Sequence, residues 1–386
     1  MGFAERVKRL PPYIFAEMEK LIIEKKRQGV NLISLSIGDP DLPPPSFILE
    51  TLSREAADPK NHNYSFSQGE PDFRRAVANW YKGRFGVNLN PEKEVIALIG
   101  SKEGIANVTR AFVNPGDRVL VPDPAYPVYA NGGTLLSDGV PVPMPLIKEE
   151  GFKPNLDAVK EKGAKMMFLN YPNNPTGAVA DKNFLGKVVD FAKEKGIIMC
   201  YDNAYSEITY DGYTAPSILE VEGAKDVAIE FHSCSKTFNM TGDRIGFAVG
   251  NEQIIAGLTK VKSQIDSGPS VYIQKVAVRA LESYNGDRPP EYMEKVRGTY
   301  NERMNTLVKG LNSMGWKCKK PKATFYLWVN CGMDSMAFAA KMLDVGVIAT
   351  PGVGFGDRGK TYLRFAITRP EEEIREACER MAKLSL

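Results

Sequence analysis

Residues 231–246 read FHSCSKTFNMTGDRIG, and the arrangement of the whole chain follows from this stretch. An apolar run ends at Phe231, a cysteine stands between two serines, Lys236 follows, and a glycine-containing loop leads to Arg244. A lysine amine can bond covalently to an aldehyde, while hydroxyls and a guanidinium can bind a phosphate. The stretch therefore suits an aldehyde cofactor that carries a phosphate. A surface turn after a buried strand explains the stretch alone equally well.

Five apolar runs of strand length share one property, because each ends in a loop with polar, glycine or aromatic residues. They cover residues 95–99, 118–121, 166–169, 197–201 and 227–231. Segments long enough for helices separate them, which indicates a mainly parallel sheet with helices on both faces. Ligands of such sheets bind beyond the carboxyl ends of the strands. The sequence therefore predicts an α/β fold whose functional residues follow these runs.

The chain changes character at residues 285–290, which read NGDRPP and mark a predicted domain boundary. After the fifth run, the predicted elements are a strand at 245–250, helices at 252–284 and 291–314, a strand at 325–329, a helix at 335–344, strands at 347–349 and 362–367, and a helix at 371–383. We assign residues 39–289 to a large domain. Residues 1–38 and 290–386 are assigned to a smaller α+β domain.

The amino-terminal segment is predicted to fold back onto the small domain. A helix is expected over residues 13–28, followed by a strand over 31–37 and a rigid proline-rich loop over 38–45. The apolar stripe of this helix consists of Ile14, Phe15, Met18, Leu21 and Ile22.

Composition narrows the class of protein. The 386 residues carry 50 basic and 47 acidic side chains, a formal net charge of +3, so we expect no nucleic acid or membrane partner. Five cysteines without a Cys-x-x-Cys pair favour a reducing, cytoplasmic setting. Two histidines make a histidine-rich metal site improbable, so no metal is predicted. No apolar run is long enough to span a bilayer.

Two strand ends offer candidate binding groups. Gly100-Ser101-Lys102 opens a predicted helix, where free N–H groups can receive a phosphate, although the same residues suit an ordinary helix cap. Asp202 ends an apolar run, and a buried carboxylate requires a cationic partner, for which a protonated pyridine nitrogen would serve. A helix N-cap is the alternative for Asp202.

Four further side chains complete the candidate set. Tyr126 could stack on a flat ring, although a core tyrosine is equally consistent with its position. Tyr205 and the amide of Asn174 could bond a ring oxygen. Arg364 lies among apolar neighbours in a predicted strand, where a guanidinium favours a planar anion such as a substrate carboxylate. A structural ion pair is the competing role for Arg364.

Together these motifs resemble those of the pyridoxal-phosphate aminotransferases of fold type I, class I/II, over essentially the whole chain. The resemblance rests on Gly100-Ser101-Lys102, the NNPTG of residues 173–177, Asp202 with Tyr205, Ser233-x-Ser235-Lys236, Arg244 and Arg364. It implies a transaminase of the fold type I class that uses pyridoxal 5′-phosphate and takes amino-acid and 2-oxoacid substrates.

The resemblance also implies a role for each residue. Lys236 would bond the cofactor aldehyde and later move a proton between the substrate α-carbon and the C4′ atom. Asp202 would keep the ring nitrogen protonated, and Tyr205 would bond the ring oxygen; these three are the implied catalytic residues. The implied cofactor contacts are Tyr64, Ser101, Lys102, Tyr126, Asn174, Asp202, Tyr205, Ser233, Ser235, Lys236 and Arg244. The implied contacts of the substrate α-carboxylate are Gly38, Asn174 and Arg364.

Tyr64 matches the tyrosine that, in the family, reaches the phosphate in the neighbouring subunit's site. The resemblance therefore implies a homodimer with shared active sites.

A narrower similarity concerns the substrate. The motifs at residues 10–15, 36–43, 100–105, 169–172 and 231–233 are similar to those of LL-diaminopimelate aminotransferases, which implies a role in lysine biosynthesis. Another class I/II aminotransferase, a carbon–sulfur lyase on the same scaffold and a non-catalytic regulatory module are the alternatives. Asp243 departs from the family, where an aromatic residue is commoner. An acid beside Arg244 could weaken phosphate binding, and a side chain that simply faces solvent is the alternative.

Overall fold

The structure, a computed structural model, describes residues 2–11 and 15–384, with the side chains of residues 15–18 outside the description. Its strands are β1 (Ile33–Ser34), β2 (Val95–Leu98), β3 (Arg118–Asp123), β4 (Val140–Pro145), β5 (Met166–Asn170), β6 (Ile198–Asp202), β7 (Ala228–Ser233), β8 (Gly246–Gly250), β9 (Tyr326–Asn330), β10 (Val347–Ile348), β11 (Thr350–Pro351) and β12 (Tyr362–Ala366).

The α-helices are interspersed with these strands along the chain. They are α1 (Glu5–Lys8), α2 (Phe15–Arg27), α3 (Ser46–Ala57), α4 (Pro71–Phe85), α5 (Ser101–Phe112), α6 (Lys182–Lys195), α7 (Ala224–Val227), α8 (Cys234–Thr237), α9 (Glu252–Lys262), α10 (Val271–Leu281), α11 (Glu291–Ser313), α12 (Ser335–Asp344) and α13 (Glu371–Met381). The predicted helix start at Tyr13, and the side chains of Ile14, Phe15 and Met18, lie outside the described residues. Among those residues, no helix combines the length and apolar character needed to cross a membrane.

Seven strands form the central sheet in the order β2-β8-β7-β6-β5-β3-β4. Strand β8 is antiparallel to both of its neighbours, and the other neighbouring pairs are parallel. Strands β2 to β7 therefore point in one direction, and their carboxyl ends share one edge. The predicted mainly parallel α/β sheet is confirmed.

Alternate residues of each strand enter different apolar clusters, because side chains of a strand point to opposite faces. Met167 and Leu169 of β5 pack with helices α4, α6 and α10. Met166 and Phe168 pack with helices α5 and α9 on the other face. The sheet is thus covered on both faces, and its continuous apolar strands follow from that burial.

The connection from β7 to β8 returns to the edge from which it starts. Ser233, the last residue of β7, pairs with Gly246, the first residue of β8. A Cβ atom on Gly246 would lie 2.6 Å from the His232 carbonyl oxygen and 3.0 Å from the Ser101 nitrogen. Glycine is therefore required where β7, β8 and the start of α5 meet. Lys236 and Arg244 both lie in this connection.

A second sheet contains β11, β12 and β9, all antiparallel. Its core is shared with helices α11, α12 and α13. Strand β1 pairs in parallel with β10, which brings the amino-terminal segment to the carboxyl-terminal part of the chain. The strand predicted over residues 31–37 is correct in place but only two residues long. Strand β4, with its three prolines, was not predicted; it lies at the sheet edge, where proline is tolerated.

Candidate active site

A cavity of about 580 Å³ opens at the carboxyl edge of the central sheet. It is lined from both sheets: by the strand ends and loops of the central sheet, and by Tyr326 and Arg364 of β9 and β12. The predicted site residues in its wall are Gly38, Ser101, Lys102, Tyr126, Asn174, Asp202, Tyr205, Ser233, Ser235, Lys236, Arg244 and Arg364. Every predicted residue except Tyr64 therefore meets in one cavity.

Lys236 lies in the single helical turn α8, directly after β7. Its Nζ atom donates to the carbonyl oxygen of Gly38 at 3.1 Å and lies 5.5 Å from the centre of the Phe325 ring. Burial lowers the pKa of Lys236 to about 8; Asp39 opposes this, while Arg364 and Arg244 add to it. About a tenth of the amine is therefore uncharged at pH 7, far more than for an ordinary lysine, and the uncharged amine is the nucleophilic form.

Asp202 is the last residue of β6 and is buried. It accepts from the Tyr129 hydroxyl at 2.7 Å and from the Ala204 backbone N–H at 3.3 Å. Within the described residues it forms no ion pair. Burial raises its pKa to about 6, although Tyr129, the Ala204 N–H and His232 favour the ionised form. The site therefore holds a buried carboxylate that lacks a cation.

Arg364 and Asn174 meet across the two sheets. Arg364 donates from Nη1 to Asn174 Oδ1 and from Nη2 to the Ser36 carbonyl oxygen, each at 2.8 Å. Its Nε is buried and has no hydrogen-bond partner in the part of the chain that the structure describes. No carboxylate pairs with it there, so the structural ion pair weighed as its alternative role is absent among the described residues.

The start of α5 and the β7–β8 connection form the other end of the cavity. Ser101 and Lys102 lie in the first turn of α5, whose N–H groups and dipole favour an anion. Arg244 donates to Ser235 Oγ at 3.5 Å and to the Thr241 carbonyl oxygen at 2.7 Å. A Cβ on Gly100 would overlap the guanidinium of Arg244. Hydroxyls, a helix start and a guanidinium thus surround one space.

The cavity wall contains Tyr129 and Tyr326, two tyrosines that were not among the predicted site residues, in addition to Tyr126, which was. Tyr126 lines the cavity, and burial raises its pKa to about 12. Tyr129, which the sequence did not single out, is the residue that bonds Asp202. It lies in a π-helical segment, Val128–Thr134, and no sequence signal distinguishes it from a core tyrosine. Tyr326, also missed, lies in a strand that was predicted without a functional role.

Tyr64 lies away from this cavity. It is 91% exposed and lines a different surface cleft with residues 267–270 and Tyr272. Within one chain, the structure does not bring it to the predicted site.

Asp243 is absent from the lining of the cavity, whereas Thr241, Gly242 and Arg244 contribute to it. Burial raises the pKa of Asp243, and burial, with a smaller contribution from the Asp243 charge, raises the pKa of the Cys234 thiol. The acid is therefore next to Arg244 in sequence but is not part of the cavity wall.

A larger cleft of about 960 Å³ contains none of the predicted site residues and is lined by, among others, Arg84, Tyr213 and Arg297. Among the described residues, no cluster of histidine, cysteine, aspartate or glutamate could hold a metal ion.

The chain is similar to known proteins over nearly its full length. The family profile "Aminotransferase class I and II" matches residues 30–381. An LL-diaminopimelate aminotransferase of Desulforudis audaxviator is 52% identical, over 98% of this chain and 96% of that protein. One of Moorella thermoacetica is 50% identical, over 100% and 98%. A solved aspartate aminotransferase double mutant of Thermus thermophilus matches with a TM-score of 0.93 at 29% identity, covering 99% of both chains.

Proposed function

Because the chain belongs to the class I and II aminotransferases, which are pyridoxal-phosphate-dependent transaminases, we propose that it is an LL-diaminopimelate aminotransferase. The reaction converts LL-2,6-diaminopimelate and 2-oxoglutarate to tetrahydrodipicolinate, glutamate and water, as a step of lysine biosynthesis. The observation that supports this substrate is the 52% identity, over 98% of the chain, with a relative of that name.

The cavity residues fit pyridoxal 5′-phosphate. Asp202 lacks a cation, and a protonated ring nitrogen would supply one. The desolvated amine of Lys236 suits an aldehyde, and the hydroxyls of Ser101, Ser233 and Ser235 with Lys102 and Arg244 suit a phosphate. When bound, the cofactor supplies an aldehyde carbon and a ring that accepts electrons.

Lys236 has two tasks in this proposal. Its amine would hold the cofactor by its aldehyde, and when free it would accept the proton from the substrate α-carbon. The lowered pKa of Lys236, about 8, allows the amine to accept that proton near neutral pH. The Gly38 carbonyl, at 3.1 Å from Nζ, holds the amine at the substrate side of the cavity.

Five residues would orient the cofactor ring, four by direct contact and Tyr129 through Asp202. The Asp202 carboxylate would bond the ring nitrogen and keep its proton in place, and the Tyr129 hydroxyl donates to Asp202. Tyr205 and Asn174 would bond the ring oxygen, and Tyr126 would stack on the ring face.

The substrate α-carboxylate binds Arg364, assisted by Asn174 and the backbone at Gly38. The guanidinium already donates to Asn174 and Ser36, so its orientation is fixed before substrate arrives. Such preorganisation lowers the entropic cost of substrate binding.

We further propose a cytoplasmic homodimer in which Tyr64 reaches the partner's phosphate site. The exposed aromatic side chains of Tyr64 and Phe66 support this, because a buried subunit interface would cover them. Pairing of β1 with β10 supports a small domain of residues 1–38 and 290–386 beside a large domain of residues 39–289. Cysteines without a Cys-x-x-Cys pair support the reducing compartment.

The test is a panel of amino donors with 2-oxoglutarate and the purified, cofactor-loaded enzyme. We expect glutamate to form fastest with LL-diaminopimelate. Rapid reaction of aspartate or alanine, with no glutamate from LL-diaminopimelate, would overturn the substrate assignment and leave the transaminase assignment intact.

A further inference from the structure

Tyr326 occupies a central position that the proposed reaction does not yet use. It is the first residue of β9 and is only 3% exposed, and its ring forms part of the cavity wall. Three of the proposed site residues lie against it: Tyr205 at its hydroxyl, Arg364 at its ring face, and Gly38 beside both.

The hydroxyl of Tyr326 contacts Tyr205. The Tyr205 hydroxyl donates to the Tyr326 oxygen at 3.2 Å, and both side chains are buried. Tyr205 has one hydroxyl hydrogen, so it can donate to only one acceptor at a time. Once Tyr205 donates to a ring oxygen, the hydrogen bond between the tyrosines can persist only with Tyr326 as the donor.

The ring of Tyr326 contacts Arg364. The guanidinium carbon lies 4.1 Å from the centre of the Tyr326 ring and 4.7 Å from that of Phe355. Guanidinium groups bind aromatic faces, and the contact is strongest where water is excluded. Arg364 is 8% exposed, so the two rings and its two hydrogen bonds fix the plane of the guanidinium.

Tyr326 also explains why residue 38 is glycine. A Cβ at Gly38 would overlap the Tyr326 hydroxyl and ring. The backbone that accepts from Lys236 can therefore approach this close only without a side chain.

We propose that Tyr326 is a positioning residue that orients the Tyr205 hydroxyl through its own hydroxyl and the Arg364 guanidinium through its ring. The inference rests on the proposed function, because it assigns Tyr205 to the cofactor and Arg364 to the substrate carboxylate. The two contacts use different atoms, so two substitutions separate them.

Tyr326→Phe removes the hydroxyl and keeps the ring. A hydrogen bond donated to Tyr205 strengthens the bond from Tyr205 to the ring oxygen. That bond withdraws electron density from the oxygen, which makes the Lys236 nitrogen that bonds the cofactor aldehyde less basic. We therefore expect the absorbance of the bound cofactor to titrate about half a pH unit higher in the variant. Binding of 2-oxoglutarate to the aldehyde-loaded enzyme, which has no amino group to give it, should change less than twofold.

Tyr326→Leu removes the ring as well. It should weaken binding of 2-oxoglutarate to the aldehyde-loaded enzyme about tenfold, because the guanidinium loses one of its aromatic faces. The absorbance midpoint should shift as it does in the Phe variant. Both variants should shift the absorbance midpoint, but only Tyr326→Leu should weaken 2-oxoglutarate binding. This difference indicates a positioning role, because general destabilisation would change the midpoint and the binding in the same variant.

Tyr300→Phe is the matched control, because its buried hydroxyl has no hydrogen-bond partner among the described residues. It should leave both readouts unchanged. If Tyr326→Leu folds poorly, Tyr326→Phe still tests the inference. Added to Tyr205→Phe, it should shift the absorbance midpoint no further than Tyr205→Phe alone does.

An unshifted midpoint in Tyr326→Phe, or equal loss of 2-oxoglutarate binding in the Phe and Leu variants, would overturn the inference. If the wild-type enzyme transaminates, either of these results with the variants leaves the proposed function standing. A wild-type enzyme without transaminase activity would instead overturn the proposed function itself.

Discussion

Two buried carboxylates stand five residues apart, Asp202 at the end of β6 and Glu207 in the loop that follows, and their ionic partners differ. Glu207 contacts the Arg84 Nε at 3.1 Å, the Arg297 Nη2 at 3.2 Å and the Tyr284 hydroxyl at 2.9 Å. Burial opposes ionisation of Glu207, but the two guanidinium groups outweigh it and lower its pKa. Asp202 has neutral donors only, and burial raises its pKa to about 6.

The difference separates a structural charge from a functional one. A buried charge that is paired with opposite charges of the same chain connects the elements that carry them. Glu207 in this way connects the loop after β6 with α4 and α11. A buried charge that the fold leaves uncompensated destabilises the chain until a ligand supplies the opposite charge. Asp202 therefore indicates where a cation must bind, and Glu207 does not.

The largest effect is expected at the amine that shares the cavity with Asp202. Lys236→Ala should lower the transamination rate about 10⁴-fold or more. The other lysine of the cavity wall, Lys102, lies in the first turn of α5 at the anion-binding end and cannot take over both the covalent bond and the proton transfer. Steady-state rates with saturating cofactor measure it. The exposed Lys260→Ala is the control and should keep the wild-type rate. Wild-type activity in Lys236→Ala would contradict the proposed chemistry.

Removing the Glu207 charge, which pairs with Arg84 and Arg297, should lower stability rather than activity. Glu207→Gln leaves the buried Arg84 without its anion, while the partly buried Arg297 keeps Glu294. The loss should cost about 4 kcal/mol in the free energy of unfolding. Denaturant titration of the variant measures this loss. The activity per folded molecule should remain within about threefold of wild type, since Glu207 is outside the cavity wall.

The contrast should also appear in the pH dependence of the cofactor-free protein. The pKa of Asp202 is raised from 3.8 to about 6, so the folded state binds more protons than the unfolded state between these values. The contribution of Asp202 to stability is therefore favourable below pH 4 and is lost as the pH rises through 6, by about 3 kcal/mol in all. Asp202→Asn should remove this component of the stability profile. An unchanged difference between pH 4 and pH 7 would contradict it.

The smallest effect is expected at Tyr129. Tyr129→Phe removes one neutral hydrogen bond, worth about 1 kcal/mol, from the Asp202 carboxylate. Cofactor affinity, measured by fluorescence titration, should fall about fivefold. Phe168, which stacks on Tyr129, still holds the ring in place, so the melting temperature of the cofactor-free protein should change little.

Much of the fold was predictable because buried strands consist mainly of apolar residues, which can be recognised in the sequence. The five apolar runs became β2, β3, β5, β6 and β7, since strands covered on both faces contain few polar residues. The reversed direction of β8 was not predicted. Its connection from β7 spans residues 234–245, which is just long enough for the crossover of a parallel pair. The break between α9 and α10 was also signalled, by Gly268-Pro269.

The site was predictable only in part. Residues whose chemistry is rare at a strand end, such as Lys236, Asp202 and Arg364, could be singled out from sequence. Tyr129, Tyr326 and Glu207 could not, because their significance depends on which distant side chain each one contacts. A tyrosine that bonds a carboxylate has the same sequence pattern as one that fills a core.

The most direct test of the contrast is the stability of cofactor-free Asp202→Asn and Glu207→Gln at pH 8, measured by denaturant titration. The account predicts that Asp202→Asn is at least as stable as the wild type yet gains little stability from added pyridoxal 5′-phosphate, while Glu207→Gln is destabilised and still gains from the cofactor. Equal destabilisation of the two cofactor-free variants would contradict it, because Asp202 would then be a structural charge like Glu207.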